Sequence, residues 1–259
     1  MVYDWRKTLS ETEGTAEFYR EIDRRLCEAL PEVHRNDSPY SLPLDKESLE
    51  GKRVLVIGCG AGVEAEVLRR RGARVIALDF TERALALTKR RLEIGQISVH
   101  LVRADAEALP FRGVLFDRIW SWGVIHHIPD INRVVQEMYR VLKPGGKAMI
   151  MVYRRDSINF WVHLMFIRGV LQGKLLTKTP QDICDLYSDG ALARYYSPAM
   201  IRNLFSGFRT ISFQGFSQLG GVYPLPRLLR CWVSAGIPNF FTQYLKRRWG
   251  DLLYFEATK

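Results

Sequence analysis

No apolar stretch in this chain is long enough to cross a bilayer as a helix. The most apolar window, Phe160 to Leu171, contains His163 and Arg168 and falls short of the roughly 20 residues a spanning helix needs. Met1 to Ser10 carries charges and no apolar centre, so it does not read as a secretory signal. Cysteine is scarce, and Cys27, Cys59, Cys184 and Cys231 show no paired ligand spacing. A disulfide framework and a zinc site are thereby excluded, and reduced thiols in the cytoplasm are the expectation. Internal repeats, low-complexity tracts and any Ser-His-Asp arrangement are missing too. Acidic residues run short outside the N-terminus: residues 1–50 hold seven basic and twelve acidic side chains, residues 151–259 fourteen and six, within a net charge of +10. Arg69-Arg70-Arg71 and Lys89-Arg90-Arg91 fall on helices, where long stems cover apolar surface. Lys246-Arg247-Arg248 beside Trp249 is the better partner-facing candidate. Nucleic acid has no dedicated module here, and peripheral membrane contact has no support beyond charge.

With 47% apolar residues over 259 positions, the chain can build a sizeable core. Val54-Leu55-Val56-Ile57 reads as a strand buried on both faces, followed by Gly58, Gly60 and Gly62. Alternate glycines let the backbone turn sharply and approach a ligand closely. Seventeen residues after Gly62, Asp79 ends a second apolar run, where a carboxylate can accept from both hydroxyls of a ribose. A dinucleotide fingerprint requires its third glycine where Val63 stands, so the spacing is G-x-G-x-G.

The segment VLVIGCGAG resembles the first motif of class I S-adenosylmethionine-dependent methyltransferases, in a branch acting on small molecules, and four further segments follow in that family's order. These are Arg74 to Asp79, Ala104 to Phe111, Phe116 to His127, and Arg140 to Gly146. The resemblance implies a doubly wound, seven-stranded, mostly parallel α/β sheet with helical cap inserts. Phe208 to Phe216 and Leu252 to Thr258 complete it, the last strand antiparallel. It divides the chain into an N-terminal helical lid segment (1–50), a cofactor-binding core (51–153), and cap inserts plus two strands of the same sheet (154–259). It also implies S-adenosyl-L-methionine as cofactor, with Gly58, Cys59, Gly60 and Gly62 beside the methionyl chain and Asp79, with neighbouring Phe80, at the ribose. Asp105 and Ala106 would meet the adenine, and Trp122 would lie where the fourth strand ends. A helix over Glu11 to Leu30, with Phe18, Ile22, Leu26 and Leu30 on one stripe, would place Tyr19 and Phe18 as lid candidates or as packing.

One departure stands out. The family carries an acid two residues before the first glycine, where this chain has Val56. Glu11 or Glu17 is the expected substitute. For chemistry, His126 and His127 fall at the end of the fourth strand and Tyr153 at the end of the fifth; any of them can take a proton or orient an acceptor. The segments 154–198 and 217–250 are rich in aromatic residues, including Phe160, Trp161, Tyr187, Tyr195, Tyr223, Trp232 and Phe240, and predict a hydrophobic or aromatic small-molecule acceptor. Base-modifying enzymes of the family carry Asn/Asp-Pro-Pro-aromatic where Gly123-Val124-Ile125-His126 stands. A peptide, protein or RNA acceptor, or cofactor binding without catalysis, stays open as the alternative.

Overall fold

Alternation along one strand decides the layering. In the computed structural model, β1 (Arg53–Ile57) sends Val54 and Val56 into one apolar cluster and Leu55 and Ile57 into another, and all four are buried. Period-two side chains on a strand covered on both faces give this two-core arrangement. The structure describes residues 11–31, 33–34, 40–44, 48–187, 192–217, 222–223 and 236–259.

The other strands are β2 (Arg74–Asp79), β3 (His100–Arg103), β4 (Phe116–Trp122), β5 (Leu142–Tyr153), β6 (Thr210–Phe216) and β7 (Leu252–Thr258). They form one seven-stranded sheet in the order β3-β2-β1-β4-β5-β7-β6. Strands β1 to β5 are parallel, and β7 is antiparallel to both β5 and β6. This is the doubly wound sheet expected from the motif order. The chain order reverses on either side of β1, so the crevice at the carboxyl ends of β1 and β4 is the place where such sheets bind ligands. The first rung of β5 pairs Leu142 with Phe116, and regular register resumes at Lys147.

Helices α1 (Ala16–Ala29), α2 (Ser41–Leu44), α3 (Val63–Arg70), α4 (Glu82–Ile94) and α5 (Ile131–Val141) accompany the parallel half. α1 starts five residues later than the apolar stripe suggested, because Thr15 Oγ1 accepts from Phe18 N–H and caps the first turn. Phe18, Ile22 and Leu26 are buried, each contributing about 1.5–3 kcal/mol. Arg91 of α4 departs from the expected solvated role. Its side chain is 6% exposed and pairs with Asp23 at 2.7 Å and Glu66 at 2.5 Å, tying α1, α3 and α4 together.

Beyond β5, a wide π-wound helix Asn159–Leu171 and α6 (Pro180–Leu186) enclose a small core of Phe160, Leu164, Met165, Ile183 and Cys184. α7 (Pro198–Leu204) leads to β6, and α8 (Asn239–Trp249) leads to β7. The expected partner-facing run on α8 is partly internal: Lys246 is 5% exposed, and the Arg247 carbonyl accepts from buried Arg154 at 3.1 Å. Trp232 and Cys231 lie outside the described residues, as do residues 1–10. No helix among the described residues is long and apolar enough to cross a membrane.

Candidate active site

The turn leaving β1 is built on positive φ at Gly58 (+76°), Gly60 (+51°) and Gly62 (+85°). Leu78 of β2 anchors it, its carbonyl accepting from Gly58 N–H at 2.9 Å and Cys59 N–H at 3.0 Å. Thr88 of α4 donates to the Gly60 carbonyl at 3.1 Å. A side chain at position 60 would meet no atom within 4 Å. The loop therefore offers open space at the point where a ligand must come close.

Asp79, ending β2, faces this space. Its Oδ2 accepts from Gly60 N–H at 3.2 Å, while Oδ1 accepts from Thr81 N–H at 2.9 Å and Thr81 Oγ1 at 3.0 Å. A carboxylate offers about four acceptor sites, so one remains on Oδ2 for a ribose hydroxyl. Phe80 beside it is 67% exposed, a flat apolar surface next to the crevice. Asp105 is exposed and turns one oxygen onto Glu107 N–H at 2.9 Å; Ala106 is buried. These residues fit an adenosyl group in both donor set and space.

At the far side of the crevice β4 ends in Trp122, which stacks on Trp120 at 5.6 Å with planes 8° apart. The next turn carries Ile125–His127. His126 is wholly buried, and neither ring nitrogen has a hydrogen-bond partner. Burial, followed by the neighbouring His127, holds its pKa well below the usual histidine value, so it is neutral. Its ring lies 4.1 Å from those of both His127 and Tyr153. His127 Nδ1 sits 2.5 Å from the Leu192 carbonyl. A carbonyl only accepts, so Nδ1 carries the proton and, in the neutral ring, Nε2 is the acceptor. Tyr195 (5.3 Å from Tyr153) and Phe160 (5.2 Å from Tyr195) extend an aromatic wall from this group into the cap. The three residues singled out for chemistry are thus brought together.

Tyr19 is placed elsewhere. Its hydroxyl donates to the Leu87 carbonyl at 2.7 Å and its ring is 5% exposed beside Phe18 and Arg91; the amphipathic stripe of α1 uses it to pack on α4. Glu17 lies exposed beside Arg20, on the solvent side of α1. Glu11, the other expected acid, is half-buried with Oε2 shielded from solvent, and a carboxylate that composition did not single out is buried as well. Glu64, in the first turn of α3, accepts from Tyr40 Oη at 2.5 Å. Its signal was an acid within the apolar helical pattern Ala61, Glu64, Ala65, Leu68. A separate cleft of about 610 Å³, lined by Glu50, Arg53, Arg74, Ser98, His100 and Phe116, opens at the amino ends of the strands, away from the glycine loop.

A family model described as a methyltransferase domain matches residues 55–150, the span holding the glycine loop, Asp79, Asp105 and both histidines. Residues 55–150 are thus similar to a methyltransferase domain. The chain is 30% identical over 158 residues to a ubiquinone biosynthesis O-methyltransferase of Coxiella burnetii, covering 61% of this chain and 66% of that protein. It is 34% identical over 142 residues to the protein of that name from Pseudomonas putida, covering 53% and 59%. The matches thus span less than two thirds of those relatives' length. Among solved structures, an S-adenosylmethionine-dependent methyltransferase from Mesorhizobium loti superimposes with a TM-score of 0.57 at 20% identity, covering 82% of this chain and 93% of that one. One from Archaeoglobus fulgidus gives 0.57 at 15% identity, covering 85% and 91%. Those likenesses establish the fold.

Proposed function

We propose that the protein transfers the methyl group of S-adenosylmethionine to a hydroxyl of a small hydrophobic or aromatic acceptor. The single observation that carries this reading is His127, whose Nδ1–H is committed to Leu192 so that Nε2 is the proton acceptor. The bound cofactor supplies a sulfonium-activated methyl, so transfer is one displacement. With the cofactor supplying the methyl, His127 Nε2 would take the proton of the acceptor hydroxyl. His126 stays neutral behind it and orients its ring. Asp79 takes the ribose, Asp105 and Ala106 the adenine, and the glycines allow close approach. Tyr153, Tyr195 and Phe160 supply the apolar wall that excludes water and aligns the acceptor. The relatives' O-methyltransferase names agree with an oxygen acceptor. The free thiols of Cys59 and Cys184 support the cytoplasm as the place of action.

The test is S-adenosylhomocysteine formation with a panel of phenols and aliphatic alcohols. His127→Ala should lower kcat/KM by about 100-fold or more, with cofactor affinity unchanged. Turnover on amines or thiols alone, or full activity in His127→Ala, would overturn the reading.

A further inference from the structure

We propose that the Glu64 carboxylate is the anionic partner of the cofactor's α-ammonium group, supplying from α3 the charge that Val56 cannot supply from β1. The inference rests on the cofactor reading of the crevice given above.

Val56 is fully buried and packs in the same cluster as Trp120 and Tyr40, so hydrocarbon fills the position where the family carries an acid. Glu64 begins two residues after Gly62 and is 9% exposed. Its side chain reaches the face that Val56 occupies, because its partner Tyr40 lies edge-on to Trp120 at 5.3 Å and Trp122 at 5.0 Å. Those tryptophans belong to β4, whose following loop brings Val124 against Gly58. The carboxylate is thus held between the glycine loop and the end of β4. Cys59, inside the loop, responds to both acids: burial pushes its thiol up to about 12, and the charges of Asp79 and Glu64 add to the rise.

Two neutral donors serve Glu64, the Tyr40 hydroxyl and its own backbone N–H. The nearby cation, Arg91, bonds Asp23 and Glu66 and acts on Glu64 only through space, its charge lowering the carboxyl's pKa. A charge so compensated is costly to bury, and burial accordingly raises the carboxyl's pKa. If holding Tyr40 were its whole task, a glutamine amide oxygen would accept the same hydrogen bond without a charge. A ligand ammonium would bring a positive charge into contact and three N–H donors. The group recognised is therefore the aminoacyl end, common to S-adenosylmethionine and S-adenosylhomocysteine.

The experiment titrates S-adenosylmethionine, S-adenosylhomocysteine and 5′-methylthioadenosine, which lacks the aminoacyl group, into wild type and Glu64→Gln by calorimetry. The expected result is a loss of about 10- to 100-fold for the first two ligands and no change for the third. Equal affinity of both proteins for all three overturns the assignment, and so does an equal loss on all three, which marks a structural role. Failure of wild type to bind any of the three instead overturns the cofactor reading itself. Should Glu64→Gln not fold, Glu64→Asp keeps the charge but withdraws it by one methylene, and is expected to show the same selective loss; binding of all three ligands as in wild type would again overturn the proposal.

Discussion

Val124 fills the space that a side chain at position 58 would need: a Cβ on Gly58 would fall 2.4 Å from Val124 Cγ2, whereas one on Gly60 meets nothing within 4 Å. Both glycines hold positive φ, so alanine is strained at either, by about 1–3 kcal/mol. Only at 58 does it also collide. Gly58→Ala should therefore lower the urea midpoint more than Gly60→Ala. Gly60→Ala should fold yet lose cofactor affinity, since its methyl enters the open space before the loop. Denaturant titration and calorimetry on the two variants check the contrast.

Asp79 joins the loop and the start of α4 through Gly60 and Thr81. Asp79→Ala should weaken S-adenosylmethionine binding by roughly 1.5–3 kcal/mol, the cost of a lost charge-assisted acceptor. Calorimetry reads this directly. Unchanged affinity with reduced stability would make the carboxylate structural.

His34 makes stability depend on pH. It is buried, its Nδ1 accepts from Tyr40 N–H at 2.8 Å, and burial lowers its pKa from 6.5 to about 4. The unfolded chain takes up this proton first as pH falls. The stability is therefore fully present above about pH 6.5 and is lost progressively as pH falls toward 4, by up to roughly 3 kcal/mol. Glu64 and Asp251, whose carboxyls burial raises, act in the opposite sense, so the comparison needs a variant. The difference in unfolding free energy between pH 7 and pH 4.5 should shift in His34→Gln by this amount relative to wild type.

Much of the fold was legible because its signals are local. The apolar run before Gly58 and the strand ending in Tyr153 each rest on residues adjacent in the chain. The start of α1 was set too early because an apolar stripe does not reveal its capping residue; Thr15 does. Arg91 looked like part of a surface cluster because its partners Asp23 and Glu66 lie 68 and 25 residues away.

By itself the sequence determined the sheet, the glycine loop and its carboxylate, since strand alternation and turn chemistry act over a handful of residues. Tertiary structure decided which side chains meet at the crevice: Tyr40 with Glu64 across 24 residues, His127 with Leu192 across 65, and Tyr19 with α4 instead of the ligand space. Burial and pairing set the charge and tautomer of those groups, and both arise only when distant segments close on one another.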